Sequence, residues 1–351
     1  MSTYKDSGVD IELGDRCSKL AYEAAKATFA GRKGMIGEPV TDGGGFTGMM
    51  DMGDFYLIQN DDGVGTKIEV AEKMRKFDTL GYDLIAMVAD DGVCVGAEIF
   101  SVTNTLDTPS LDEEMVEGLM AGLKKAAMEQ KIVVPGGELA ELSDVLNGAV
   151  WNATAVGIVE KDKVITGADI QEGDTVLALK SDGIRSNGLS LARMILKEKF
   201  GDDWVSADYG DPSTSSGRTW GEVILTPSKI YHRAILNLIG GYGQERKFNI
   251  KGIAHNTGGG IKGNLPRLLN KKRLGAELTD LPEPHEFMKK LQEMGNVSNE
   301  EAYRTWNMGV GMMMVIDSSD TDKILDALKK EGVEAVVAGK VTSEPDIKLS
   351  I

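Results

Sequence analysis

The chain has 351 residues, 41% hydrophobic and 27% charged, a globular composition long enough for two cores and unlike that of a disordered or fibrous chain. Its formal net charge of −16 opposes binding to nucleic acid or to an anionic membrane surface. No run approaches the ~18 consecutive apolar residues of a membrane span, no signal-like segment opens the chain, and two cysteines, Cys17 and Cys94, are too few for a disulfide framework, so a cytoplasmic protein with reduced thiols is expected.

In chain order, Leu13, Cys17, Leu20, Ala21 and Ala24 recur at helical spacing, and the Gly-rich stretch 31–48 reads as a loop. A strand is predicted over 55–58, ending at Asp61 and Asp62, followed by helices over 79–95 and 112–129, a buried strand at 132–134 and a long strand over 149–160. Charge and glycine interrupt the pattern from Glu160 to Lys163 and at Gly167, which puts a linker near 161–170 and divides the chain into domains 1–168 and 169–351. Beyond it, strands at 175–179, 249–255, 311–316 and 333–338 alternate with helices at 189–199, 227–239, 264–271 and 320–331, an α/β layering. The Asp-, Ser- and Gly-rich segment 202–220 reads as a surface insertion.

Several constellations suit chemistry. From Asp61 to Lys67, two carboxylates, Gly63, Gly65, the Thr66 hydroxyl and the Lys67 ammonium form either a polar turn or a hard-cation site beside phosphate donors; the spacing is not that of a Walker loop. Asp83, Asp90 and Asp91 interrupt an otherwise apolar helix whose stripe holds no Lys or Arg, so they are either a narrow solvated stripe or acids that a divalent metal would satisfy. Glu138 and Glu141 follow a buried strand and two glycines, as ligand groups or as the acids of a helix start. Ser186, Asn187 and Gly188 open a helix, which capping alone explains; Arg185 beside them adds a charge for an anion or lies on the surface. His255 precedes Thr257, Gly258, Gly259 and Gly260, a glycine run that also satisfies a dinucleotide pattern, and is either a packed histidine or an active-site group. Asn307 stands before a strand entry read as a bulge.

Taken in order, Tyr4 to Asp10, Asp62 to Lys67, Asp78 to Met87, Gly136 to Glu141, Ser186 to Gly188, Leu225 to Tyr231, Ala254 to Gly260, Asn264 to Arg267 and Asn307 to Met312 resemble the motif series of the phosphoribosylformylglycinamidine cyclo-ligase (aminoimidazole ribonucleotide synthetase) family. The resemblance implies an α/β (α+β) protein of two domains and a homodimer whose N-terminal mixed sheets pair into a β-barrel. It places ATP and Mg²⁺ near the subunit interface, with a C-terminal α/β sandwich closing on a small ribonucleotide substrate. By motif position Asp62, Asp91 and Glu138 would be the metal and nucleotide acids, with Gly63, Gly65 and Thr66 beside the ATP and Lys67 facing phosphate. Ser186, Asn187, Gly188, Asn307 and the loop from Thr257 to Gly260 would hold substrate phosphate, and Lys67, His255 and Arg185 would be catalytic, His255 as the candidate base. The chain departs from the pattern at Arg185, where members carry His, at Leu139 for Thr, at Asn104 for Asp and at Asn256 for an aliphatic residue. Two other readings share the acidic half: a kinase-like or selenophosphate-synthetase-like enzyme of the same superfamily, and a non-catalytic ATP-binding dimer.

Overall fold

The computed structural model describes residues 3–41, 45–210 and 217–351, apart from the side chains of Ile11, Glu12 and Asp15. The first half runs α1 (Ile11–Ala27), β1 (Glu38–Pro39), β2 (Gly48–Asp51), β3 (Phe55–Gly63), α2 (Lys67–Met74), α3 (Leu80–Cys94), β4 (Glu98–Thr108), α4 (Glu113–Gln130), β5 (Gly137–Glu141) and β6 (Val150–Glu160). The second runs β7 (Thr175–Lys180), α5 (Leu189–Phe200), α6 (Trp220–Ile224), α7 (His232–Ile239), β8 (Ile250–His255), α8 (Gly260–Asn264), α9 (Pro266–Leu269), β9 (Gly275–Leu278), α10 (Glu286–Met294), α11 (Asn299–Trp306), β10 (Val310–Ile316), α12 (Thr321–Lys330), β11 (Ala335–Thr342) and β12 (Ile347–Leu349).

Two six-stranded mixed sheets result, in the orders β1-β2-β3-β6-β4-β5 and β12-β9-β11-β7-β10-β8. Among the described strands β4–β5 and β9–β12 pair in parallel and the other pairs are antiparallel. In the second sheet β8 and β10 are buried along their whole length, as expected of apolar strands covered on both faces. In the first, β6 alternates between buried residues such as Trp151, Ala153 and Ala155 and a face carrying Thr154, Val156 and Ile158 that is only partly covered. That sheet is open, and the described residues contain no closed barrel.

α3 lies at the seam. Its residues are apolar on nearly every face, and it packs on β3 and β6 of the first sheet as well as on β8 and α7 of the second half. One hydrophobic core spans the two halves, joining Leu84, Val88 and Trp151 to Trp204, Trp220 and Trp306. The second core joins Val93 and Cys94 at the end of α3 to β7, β8 and β10.

The strand end expected at Asp61 and Asp62 holds to within a residue, since β3 closes at Gly63, paired with β6 in unbroken register. Other sequence expectations change. The predicted strand at 132–134 reduces to one isolated bridge between Val133 and Ser101, and the strand lies at Gly137–Glu141 instead. Within the predicted loop 31–48 lies β1, and β2 begins at its end. The helix expected over 264–271 is present as α9, opened by Pro266 and followed by a 3-10 turn at Asn270–Lys272, and the separate short helix α8 precedes it. The segment 202–220 is no plain surface insertion, since Trp204, Val205 and Trp220 are buried; its residues 211–216 lie outside the described residues.

Candidate active site

Strand periodicity aims the first acid. Ile58, Asn60 and Asp62 share the face of β3 that packs on α3: Ile58 is fully buried, and the Asn60 side chain donates to the Val88 carbonyl at 3.1 Å. Asp62 therefore points toward the end of α3, where Asp90 and Asp91 stand. Burial, with a smaller contribution from the Asp91 charge, pushes the Asp62 carboxyl up to about 6, against the Gly63 N–H that donates to its Oδ1 at 2.7 Å.

The acids of α3 are not a solvated stripe. Asp83 and Asp90 are fully buried, and each meets a cation from another element. Lys67 Nζ lies 2.7 Å from Asp83 Oδ1, which also accepts from Ser228 Oγ at 2.5 Å, and the same ammonium donates to the Thr226 carbonyl at 2.7 Å. Asp90 Oδ2 accepts from Arg185 at 3.0 Å, while its Oδ1 accepts the N–H groups of Tyr231 and His232 at the start of α7, at 2.8 and 3.0 Å. The expected metal contacts at Asp83 and Asp90 thus give way to ion pairs made across the fold.

Three further candidate residues lie in this network. Lys67 is fully buried, with its ammonium engaged by Asp83. Arg185 is 3% exposed, so it is neither a surface arginine nor open to an anion; its guanidinium also stacks 5.2 Å from the Tyr231 ring centroid. His255 has both ring nitrogens engaged, Nε2 at 2.8 Å from Arg185 Nη2 and Nδ1 at 2.7 Å from Asp91 Oδ1, which leaves no free lone pair for a general base.

Glu138 is separate from the acid pair. It sits on exposed β5, opposite Thr105, and the β4–β6–β3 register puts it three strands from β3, roughly 14 Å at ordinary strand spacing. Among the described residues no three His, Cys, Asp or Glu side chains converge as a metal cage. Asp62 and Asp91 nevertheless suit Mg²⁺ in its usual form, one or two carboxylates completed by water and phosphate oxygens. Among the described residues no Lys or Arg forms an ion pair with either acid, and Asp62 is held above its ordinary value mainly by burial, with the Asp91 charge a smaller cause.

Clefts of about 980 Å³, lined in part by Gly65, Thr66, Trp151 and Asn152, and about 600 Å³, lined in part by Phe46, Gln59, Asn60 and Asp61, adjoin β3. Both are of small-ligand size.

Gly188 itself caps α5 with φ 72°, and no side-chain cap forms from Ser186 or Asn187. Instead Ser186 Oγ and Asn187 Nδ2 are buried without a protein partner. Tyr4, whose backbone N–H donates to Glu301 at 2.8 Å, is a contact that residue-type reasoning left without a role, although its motif was in view. Asn307, at φ 54°, donates to the Thr257 carbonyl at 3.2 Å and so clamps the glycine loop. Beyond the clamp, Gly259, Lys262, Gly263, Tyr303 and Arg304 line a cavity of about 340 Å³. No helix among the described residues is long and apolar enough to cross a membrane.

Comparison with known proteins covers both halves. Residues 46–159 match the family described as AIR synthase related protein, N-terminal domain, and residues 171–351 match the corresponding C-terminal domain. A phosphoribosylformylglycinamidine cyclo-ligase of Thermococcus kodakarensis is 41% identical over 99% of this chain and 98% of its own length. Among solved structures, the thiamine-monophosphate kinase of Stenotrophomonas maltophilia aligns with a TM-score of 0.62 at 13% identity, covering 92% of this chain and 95% of its own, a likeness of fold. The hydrogenase maturation protein HypE in complex with ATP aligns with a TM-score of 0.57 at 14% identity, covering 82% and 77%.

Proposed function

The chain belongs to the phosphoribosylformylglycinamidine cyclo-ligase family, and from that premise we propose how its residues carry out the family's reaction. The protein is an ATP-dependent ligase of purine synthesis: it cyclises formylglycinamidine ribonucleotide to aminoimidazole ribonucleotide with release of ADP and phosphate. The observation that carries this reading is the 41% identity along 99% of the chain. A kinase of the same superfamily shares the fold at only 13% identity.

Ring closure needs an amidine nitrogen to attack the formyl amide carbon, whose oxygen is a poor leaving group. ATP therefore phosphorylates that oxygen first, and the attack follows within the bound molecule, where proximity makes it effectively unimolecular. Asp62 and Asp91 would hold Mg²⁺, which when bound neutralises and orients the ATP phosphates. A protein of the same fold, HypE, was solved in complex with ATP, which supports ATP as the nucleotide used. Gly63, Gly65 and Thr66 would border the nucleotide in the cleft beside β3, and the loop from Thr257 to Gly260 would offer backbone N–H groups to the substrate phosphate, with Ser186 and Asn187 supplying their buried, unpartnered polar atoms.

We take 1–168 as the ATP-binding and dimerising part and 169–351 as the part that covers the substrate. In a homodimer the partly covered face of the first sheet, with Leu57 opposite Ile158 and Val156 beside them, would pack on its counterpart to complete a barrel. Glu138, on the exposed edge strand, would then reach an acid pair of the partner copy. The test is incubation with Mg-ATP and formylglycinamidine ribonucleotide, with thiamine monophosphate as the rival substrate. Aminoimidazole product from the first and no phosphorylation of the second is expected; the reverse would make the chain a kinase.

A further inference from the structure

His255 is fully buried, and between its two neighbours its tautomer is determined. A guanidinium has only donors, so the 2.8 Å contact from Arg185 Nη2 makes His255 Nε2 an acceptor. The ring proton therefore sits on Nδ1, from which it is donated to Asp91 Oδ1 at 2.7 Å. Arg185 is held in turn by Asp90 Oδ2 at 3.0 Å, by the Lys229 carbonyl at 3.3 Å and by the face of Tyr231.

The hold on Arg185 is built into the backbone. Arg185 adopts φ 63°, a left-handed conformation that residues bearing a Cβ rarely take and that persists only where the surroundings fix it. Gly311 in β10 leaves the space the guanidinium fills, since a Cβ there would lie 2.9 Å from Arg185 Nη1 and 2.1 Å from the Tyr231 hydroxyl.

We propose that Arg185 and His255 are positioning residues: a relay running from Asp90 through Arg185 and His255 sets the orientation of the Asp91 carboxylate. Asp90 and Asp91 are adjacent on α3, yet the link between them passes through the second half of the chain, from the loop after β7 to the end of β8. With Oδ1 committed to His255, Asp91 presents Oδ2 as its free oxygen, and the second half thereby fixes which oxygen faces the cation. A carboxylate that must find this orientation by itself loses rotamer freedom on binding, so the relay raises metal affinity without touching the reacting atoms. This rests on the reading of Asp62 and Asp91 as the cation-binding pair.

The test uses full-length protein and Mn²⁺ as the probe, with free Mn²⁺ counted by electron paramagnetic resonance in the presence of ATP, alongside kcat and the KM for Mg²⁺. His255→Asn keeps a donor near the Nδ1 position but loses the Arg185 contact, and Arg185→Met loses the same contact, so each is expected to weaken Mn²⁺ binding about twofold to threefold. His255→Gln, whose amide reaches the Nε2 position and leaves Asp91 without its donor, is expected to weaken it on the order of 10-fold to 100-fold, the range for lost partners of metal ligands. The KM for Mg²⁺ should rise in the same order while kcat at saturating Mg²⁺ changes little. Equal loss in His255→Asn and His255→Gln, or loss in neither, overturns the proposal, and thermal unfolding of the two matched variants shows whether they are equally folded. Asp91→Asn separates the premise from the proposal: if it leaves Mn²⁺ affinity unchanged, the cation pair itself is wrong, whereas a large loss there with no Asn/Gln difference at 255 removes only the relay.

Discussion

Lys67 is fully buried, with its ammonium 2.7 Å from Asp83 Oδ1 and 2.7 Å from the Thr226 carbonyl. Burial pulls its pKa below the ordinary lysine value and the Asp83 charge opposes that pull, which is the behaviour of a strut between the two halves. Lys67→Met leaves a buried carboxylate unneutralised and is expected to lower the unfolding free energy by ~3–5 kcal/mol in urea titration. Lys67→Met combined with Asp83→Asn should recover part of that loss; wild-type stability with lost ATP turnover would instead return Lys67 to a phosphate. Asp62 behaves in the opposite sense. Its folded value of about 6 lies above the ordinary 3.8, so its contribution to stability is fully present below 3.8 and is lost as pH rises through about 6. A bound cation favours the charged form, so Mn²⁺ affinity should fall as pH drops below about 6, and Asp62→Asn should bind weakly with no step there. A step that survives in Asp62→Asn would belong to another group.

At the scale of elements, α3 was legible because its apolar run is long and periodic, and β7, β8 and β10 because their short apolar runs lie between turn signals. β4 was not picked out, although Glu98 to Thr108 alternates buried and exposed residues along much of its length; its many Thr, Ser and Asn side chains hid an apolar face made of Ile99, Val102 and Leu106. The segments bearing Asp62, Asp91, Arg185 and His255 were each recognised, and the fold brings these four together. Their pairing could not be read, because Arg185 and Asp90 lie 95 residues apart and a search for cations on the same helical stripe cannot see a partner from a distant loop. The bulge expected before β10 is present, where the pairing with β7 slips between Val310 and Met312, and Gly311 sits at that slip. Gly311→Ala should therefore displace Arg185 and Tyr231, costing on the order of 1–3 kcal/mol from overpacking and weakening Mn²⁺ binding together. Unchanged stability and affinity would mean that this tight fit relaxes freely.

For the whole molecule, one core joins the two halves through α3, so the acid pair is held by both rather than by the first half alone. Glu138 is the exception, exposed on β5 at the sheet edge together with Leu139, Val133 and Leu142. A two-fold dimer of about twice 37.7 kDa in light scattering would cover this edge. If Glu138 serves the partner's acids, Asp62→Asn and Glu138→Gln dimers, each inactive, should regain about a quarter of wild-type activity when their subunits are exchanged, because half the dimers then hold one intact site of two. No recovery would put all three acids in one chain's site or leave Glu138 outside it. The most direct measurement follows the oxygen. With heavy oxygen in the formyl group of formylglycinamidine ribonucleotide, the protein and Mg-ATP should yield aminoimidazole ribonucleotide, ADP and phosphate that carries the label. Unlabelled phosphate, or ATP consumed without the aminoimidazole product, would contradict phosphorylation of the amide oxygen as the step that drives ring closure.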